Sequence, residues 1–277
     1  MSLDIHLSMY YLLPLSRLHY IKVARGMKYR IITHVHTKYS HDSLLPFFLL
    51  YNKCIKKGVD YIAITEHNNI KGAVAFKNYC ANRGNQLKVI IGEEIMTSEG
   101  EIIGLFLNQE IKPFQSPEKT VDEIKKQHGI VYIPHPYDEK RYKTVLADTA
   151  LQRIRKLVDC IECHNGRNIS PSYDKKQMEI AAKYDLRKVI GSDAHTIFEV
   201  GYNYMESSIA PDSAEKFKEA LDGLELYPHG CLKYAHQLTR LARLVRLIER
   251  GKFNELYRII LRKFRKRKPE SCQKNRS

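Results

Sequence analysis

Seven short apolar runs, each closing in polar residues, constrain this 277-residue chain more than any other feature. They are "YRIITHVH" (29–36), "DYIAITEHN" (60–68), "KVIIGEE" (88–94), "IIGLFL" (102–107), "GIVYIPHP" (129–136), "VDCIECHN" (158–165) and "RKVIGSDAH" (187–195). They are short and rich in β-branched residues, which favours buried strands over helices. Helical stretches with sensible punctuation lie between most of them. One covers 45–57 and stops at Gly58; another covers 70–83 and stops at Gly84. Ser116-Pro117 opens 118–128 before Gly129, and Ser170-Pro171 opens a stretch to Tyr184. Strands alternating with helices at this spacing imply an α/β fold, a mostly parallel sheet or barrel covered by helices.

The polar residues are not scattered. His34 and His36, His67, Glu93 and Glu94, His135, His164, and Asp193 with His195 all fall at the C-terminal ends of successive strands. In a barrel of this kind those ends face one mouth, where active sites are built. His34 and His36 are two apart on a strand, so they share a face at a spacing of roughly 7 Å and can grip one ion. Imidazole nitrogen with carboxylate oxygen suits Zn, Mn or Fe rather than Ca or Mg. Any one of these histidines alone reads best as a core or surface residue with a hydrogen-bond partner; together they read as a metal site.

"HVHTKYSHDS", "ITEHN", "GEE", "IPHP" and "GSDAH", in that order, resemble the motifs of the PHP family, named for polymerase and histidinol phosphatase. The resemblance covers about residues 29–221. It implies a distorted (β/α)7 barrel of the PHP type, two or three divalent metal ions (Zn, Mn or Fe), and a hydrolase acting on phosphoric esters. It also implies the ligand set. His34 and His36 match the opening HxH pair, and His41 stands where a further Asp or His follows, with Asp42 as its competitor. His67 matches the TDH histidine, Glu94 the bridging glutamate with Glu93 less favoured, His135 the HP histidine, and Asp193 with His195 the closing DxH. Catalysis is then expected of Glu94, His135 and Asp193, around a hydroxide whose pKa is lowered by the ions. Arg141 and Arg167, just past two of the motifs, are candidates to hold the phosphate. The sequence departs from the pattern in three places. Ile32 stands where an acidic residue is usual, and TDH has become Thr65-Glu66-His67. The histidine that many members carry after the bridging glutamate is missing from "SEGEIIGLFLNQ", so either one metal loses a ligand or His164 or Glu162 replaces it.

Charge divides the chain. Its net is +15, yet residues 237–277 hold fourteen Lys/Arg against three Asp/Glu, a net of +11. The basicity therefore concerns a partner of the tail more than the fold. The expected organisation is an N-terminal extension (1–27), a barrel domain (28–230) and a basic helical extension (231–277). In the last, Leu238, Leu241, Val245 and Ile248 share one helical face, with Arg240, Arg243, Arg246 and Arg250 largely opposite. Such a segment packs on the barrel as a hairpin, or attaches to nucleic acid or to an anionic membrane. A phosphorylated small molecule or nucleotide is the expected substrate, and the oligomeric state is not legible.

Six scattered cysteines suit a reducing, cytoplasmic setting. "CIECH" matches a haem-attachment pattern, but residues three apart on a strand face opposite sides; Cys163 or His164 facing the mouth is the better reading. The first 26 residues lack a basic n-region and a small-residue cleavage site, so they do not read as a signal peptide, and Met27 is a possible natural start. A non-catalytic module, binding metal for stability while the tail does the work, is the rival to an enzyme.

Overall fold

The computed structural model describes Gly26 and residues 28–84 and 86–265. Met27, most of the expected N-terminal extension and the last part of the basic tail lie outside these residues. The elements are β1 (Tyr29–Val35), α1 (Phe47–Lys57), β2 (Tyr61–His67), α2 (Lys71–Ala81), β3 (Lys88–Thr97), β4 (Gly100–Leu105), α3 (Pro117–Lys126), β5 (Ile130–Ile133) and α4 (Asp148–Ile154). They continue with β6 (Cys160–Asn165), α5 (Pro171–Lys183), β7 (Lys188–Ala194), β8 (Tyr204–Ser207), α6 (Ala214–Leu221), β9 (Glu225–Tyr227), α7 (Ala235–Glu249) and α8 (Phe253–Arg265).

The seven apolar runs become β1 to β7, hydrogen-bonded in chain order, and β1 pairs with both β2 and β7 to close the barrel. The fold is a distorted (β/α)7 barrel. One distortion is that β4 runs antiparallel to both β3 and β5. Another is that the first half of β1 pairs with β8 and its second half with β7. The elements α4, β8, α6 and β9 come from segments whose sequence does not announce them.

Helix starts follow local chemistry. Ser116 Oγ accepts from Lys119 N at 3.2 Å and Ser213 Oγ from Lys216 N at 3.3 Å, each satisfying an otherwise orphaned first-turn amide. Ile31, Ala63, Ile90, Ile103, Tyr132 and Val189 come from strands all round the barrel yet form one buried cluster, so they fill its interior beneath the mouth. A second cluster joins Ile102 and Ile133 to Val121, Ile124 and Leu151, the seam between strands and helices.

The chain after Gly230 packs differently from its apolar pattern. Leu241 and Ile248 are more than half exposed, while Ala235, Ala242 and Leu247 are buried. The side of α7 turned inward also carries His236 and Arg246. The first is hydrogen-bonded to Arg167, the second to the backbone of the 38–43 loop. Specific polar contacts with the barrel mouth, not the wider apolar stripe, set the rotation of this helix. Among the described residues no helix is long and apolar enough to cross a membrane.

Candidate metal centre

Glu94 sits at the centre of the barrel mouth, 2 % exposed. Its Oε1 lies 3.2 Å from His34 Nε2 and 3.0 Å from His135 Nε2. Its Oε2 lies 3.4 Å from His36 Nε2 and 3.0 Å from His67 Nδ1. One carboxylate thus faces four imidazoles, two per oxygen. Asp193 Oδ1 stands 3.7 Å from both His34 Nε2 and His36 Nε2. Asp42 Oδ2 stands 3.2 Å from His195 Nε2 and 3.5 Å from His67 Nε2.

These separations match ion ligands. Two donors each about 2.0 Å from a tetrahedral ion stand roughly 3.3 Å apart. Three-residue groups meeting at ligand distances are His34–His36–Asp193, His34–Glu94–His135, His36–His67–His195, His41–Asp42–His67 and His67–Glu94–Glu101. Several inward-facing atoms are buried and have no hydrogen-bond partner among the described residues: His34 Nε2, His36 Nε2, His67 Nε2, Glu94 Oε2 and Asp42 Oδ1. Orphaned buried nitrogens and carboxylate oxygens are costly unless something binds them. The residues present therefore fit a cluster of divalent ions.

The backbone pays a conformational cost to aim these side chains. His34, His135 and Asp193 have φ of 59°, 27° and 48°, left-handed values that non-glycine residues avoid. His34 lies in a bulge: β1 pairs Ile32 with Ile62 but Val35 with Ile64. His34 and His36 thus reach one site through a kink rather than through plain alternation, with ring centroids 5.2 Å apart.

Buried carboxylates behind the histidines set their tautomers. Glu162 Oε1 accepts from His34 Nδ1 and from Tyr132 Oη, each at 2.7 Å. Its Oε2 accepts from His135 N at 2.7 Å and from Asn165 Nδ2 at 2.8 Å. With Nδ1 donating to Glu162, Nε2 is the nitrogen that His34 turns toward the site. Ser40 does the same for His36. It accepts from His36 Nδ1 at 3.1 Å and donates to Glu66, which also accepts from Thr37 N. Two glycines leave the room these anchors need. A Cβ at Gly191 would lie 1.8 Å from Glu162 Oε1, and one at Gly72 would lie 2.2 Å from Glu66 Oε1. The longer side chain of Glu66, in place of the usual aspartate, is thereby accommodated.

Electrostatics follow from this crowding. Burial works to lower the His34 pKa, yet Glu94, Asp193 and Glu162 together hold it well above the usual value. Burial, reinforced by the neighbouring His195 and His67, pushes His36 well below. Burial also opposes protonation of His135, but hydrogen bonds to Glu101 and Glu94 raise it to about 9. Burial would raise Asp193, but the Arg141 guanidinium, 2.6 Å from its Oδ2, holds the carboxyl well below its usual range.

The structure brings together His34, His36, His67, Glu94, His135, Asp193 and His195, with Asp42 turned toward His67 and His195. His41 is exposed at the edge, its ring 4.9 Å from that of His67. Glu93 points out of the barrel and accepts from Ile111 N at 2.9 Å.

His164 is not brought to the mouth. A bulge at Cys163, where Glu162 pairs with Val189 and His164 with Ile190, reverses the alternation. Its Nδ1 instead faces Asp174 on α5 at 2.9 Å, and its Nε2 meets Asn203 and the His229 carbonyl. Glu162 lies behind His34 with both oxygens engaged, so neither expected replacement fills the gap left by the missing histidine.

A carboxylate that no motif singled out, Glu101, does reach the centre. It is 5 % exposed, with Oε2 3.4 Å from His135 Nε2 and Oε1 3.8 Å from His67 Nδ1. In the β3–β4 ladder it pairs with Met96, two residues beyond Glu94, so both glutamates face inward. The signal was a lone acid opening an apolar strand, and β4 runs backwards, so its first residue is the one at the mouth.

Arg141 and Arg167 flank the centre. Arg141 bridges Asp193 and Asp138. Arg167 is 3 % exposed, and its Nε and Nη1 have no hydrogen-bond partner among the described residues; Glu199 Oε1 lies 3.9 Å from Nε.

A family model described as the PHP domain matches residues 33–265, through α7 and α8. An uncharacterized protein of Methanocaldococcus jannaschii, MJ0417, is 36 % identical over 181 residues, covering 65 % of this chain and 70 % of its own length. Among solved structures, a two-domain protein from Bacteroides vulgatus contains a predicted PHP-like metal-dependent phosphoesterase. It superposes with a TM-score of 0.58 at 20 % identity, over 73 % of this chain and 65 % of that one. An amidohydrolase from Chromobacterium violaceum, solved with bound sulfate and no metal, gives a TM-score of 0.50 at 16 % identity. That match covers 71 % of this chain and 97 % of the other.

Proposed function

The chain belongs to the PHP domain family, and from that premise we propose that it is a metal-dependent hydrolase of phosphoric monoesters or diesters, acting at the barrel mouth. The observation that carries the reading is the convergence of orphaned nitrogen and oxygen ligands on Glu94, beside two arginines that flank them. His34, His36, Glu94 and Asp193 would hold one ion, and Glu94, His135 and Glu101 a second. His67, His195 and Asp42, with His41 at the edge, would hold a third. Bound divalent ions would supply Lewis acidity and lower the pKa of water, both of which promote hydrolysis of a phosphoric ester.

The protein's own groups do the rest. Glu162 and the Glu66–Ser40 pair engage Nδ1 of His34 and His36, so Nε2 is the nitrogen aimed inward, where an ion would take the place of any proton on it. Glu94 and Asp193 stay ionised at neutral pH, so they offset positive charge at the centre. Arg141, anchored on Asp193, and Arg167, with two nitrogens to spare, are placed to take phosphoryl oxygens. No serine or cysteine nucleophile is needed in this scheme.

The test is turnover of p-nitrophenyl phosphate and bis-p-nitrophenyl phosphate by chelator-stripped protein reloaded with Mn or Zn. The expected result is activity that needs added metal and falls at least about 100-fold in His36→Ala. Preference between the two esters separates monoesterase from diesterase. No turnover of either by protein shown to carry bound metal, alongside cleavage of amide substrates, would replace the reading with amide hydrolysis. No turnover of any of them would leave the non-catalytic module.

A further inference from the structure

The barrel leaves the Arg167 guanidinium largely unbonded. The residue is 3 % exposed, yet among the described residues its Nε and Nη1 make no hydrogen bond. Buried N–H donors on a charged group are costly to leave unfilled, so they suit an incoming anion. Glu199 does not fill them. Its Oε2 accepts from His195 N, Thr196 N and Thr196 Oγ1, while its Oε1 stands 3.9 Å from Arg167 Nε, beyond hydrogen-bond reach. Glu199 thus balances the charge and leaves the donors open. Arg141 differs, since Asp138 and Asp193 engage its Nε and Nη2. After Arg141, the Arg167 charge also lowers the Asp193 pKa, so Arg167 too lies beside the metal centre.

What holds Arg167 comes from outside the barrel. His236, the second residue of α7, meets it at both ends. His236 Nε2 donates to the Arg167 carbonyl at 3.0 Å, and Arg167 Nη2 donates to His236 Nδ1 at 3.4 Å. A carbonyl only accepts and a guanidinium only donates, so one neutral tautomer satisfies both contacts. Burial and the Arg167 charge lower the His236 pKa, in keeping with that tautomer. A residue that merely fastened α7 to the barrel would need the carbonyl alone. Bonding the side chain as well fixes the guanidinium relative to its own backbone. The approach to α7 is held in turn: His229 N donates to Asn203 Oδ1 at 2.6 Å, and the His229 carbonyl accepts from His164 Nε2 at 2.9 Å. His164 and Asn203, both buried and outside the metal centre, thereby help set where His236 arrives.

We propose that His236 is a positioning residue for ester hydrolysis, holding Arg167 so that its Nε and Nη1 stay free for the phosphoryl group, which makes α7 part of the substrate site. The proposal rests on the hydrolytic reading above. A clamp aimed before the substrate arrives spares the ordering cost of a long, flexible side chain. It acts on bound substrate and transition state alike, so its loss should appear in KM more than in kcat.

The test uses the full chain loaded with Mn or Zn, and whichever of the two p-nitrophenyl esters the parent turns over faster. His236→Leu should raise KM at least about tenfold while kcat stays within about threefold. The dissociation constant for inorganic phosphate, read by titration calorimetry, should rise alongside KM, with metal stoichiometry and far-UV circular dichroism unchanged. His236→Gln, which keeps one N–H beside one acceptor, should stay within about threefold of the parent. In an Arg167→Ala background, His236→Leu should add nothing further. If His236→Leu does not fold, His236→Ser carries the same expectations. Unchanged KM and phosphate affinity in a parent-active ester assay would overturn the proposal and leave the hydrolytic reading standing. A full further loss in the Arg167→Ala background, or loss of bound metal, would overturn it in favour of a plain anchoring role for α7. A metal-loaded parent that neither cleaves the esters nor binds phosphate would remove the hydrolytic reading and this proposal together.

Discussion

Glu162→Gln is the sharpest probe of the idea that buried carboxylates aim the histidines. Glu162 is fully buried and accepts four hydrogen bonds, two on each oxygen. A glutamine keeps one acceptor oxygen and turns two N–H donors toward the other pair. If the amide nitrogen faces His135 N and Asn165 Nδ2, both donors lose their acceptor. If it faces His34 and Tyr132, the tyrosine can rotate toward Thr33 Oγ1, 3.4 Å away, but His34 loses the partner that fixes its tautomer. Each buried polar group left unsatisfied costs about 1–3 kcal/mol, so the metal-free variant should lose about 3 kcal/mol, a large fraction of a domain's 5–15 kcal/mol. At about 2–4 °C per kcal/mol for a chain of this size, that is a fall of roughly 6–12 °C in Tm. Metal affinity should also drop, by about 10–100-fold. Differential scanning calorimetry on stripped protein gives the first number, and competition with a chromophoric chelator gives the second. A variant with unchanged Tm and unchanged metal affinity would sink the anchoring account.

Other expectations concern neighbouring groups. Glu101→Ala should weaken binding of one ion at least tenfold by the same chelator competition, whereas Glu101→His, which puts an imidazole at that place, should bind close to the parent level. Burial pushes Glu93 up to about 7, well above its value of 4.5 in an unfolded chain. The folded state therefore binds the proton more tightly, and stability falls as pH rises from about 4.5 to about 7. Glu93→Gln, which keeps an acceptor for Ile111 N, should raise urea stability at pH 8 by on the order of 3 kcal/mol and leave it little changed at pH 4.5. Arg246 reaches the carbonyls of Ser43 and Lys38 and so clamps the loop that carries His41 and Asp42. Arg246→Ala should speed proteolysis within 38–43 about tenfold and lower metal stoichiometry, and truncation at Gly230 should do both; unchanged cleavage and stoichiometry would show that α7 does not support the centre.

The seven strands were legible because strands buried on both faces are nearly continuous apolar runs, and most of their ends were legible because ligand side chains are foreign to such runs. His34, His36, His67, Glu94, His135, Asp193 and His195 fell out of that contrast. What stayed hidden depended on direction and register. Glu101 opens a strand rather than closing one, and only the reversal of β4 brings it to the mouth. His164 looked equivalent to His135, but a single extra residue at Cys163 turned it to α5. The roles of Glu66 and Glu162 needed side-chain distances, since nothing in a sequence separates an acid that binds an ion from one that holds a histidine. The rotation of α7 was misleading for a related reason. Its apolar stripe is the stronger periodic signal, but two specific polar contacts and a narrow seam of Ala235, Ala242 and Leu247 decide which side meets the barrel.

The reversal of β4 also bears on the order in which the centre forms. Glu94 and Glu101 lie seven residues apart across a tight hairpin, a local arrangement that closes quickly, on the microsecond scale typical of hairpins. His34 and Asp193, by contrast, are 159 positions apart and meet only when β1 and β7 close the barrel. The two carboxylates can therefore meet on the folding chain well before most of the imidazoles arrive. An ion captured by that early pair would draw the remaining ligands inward, linking metal uptake to the slow, long-range closure that limits folding of such topologies.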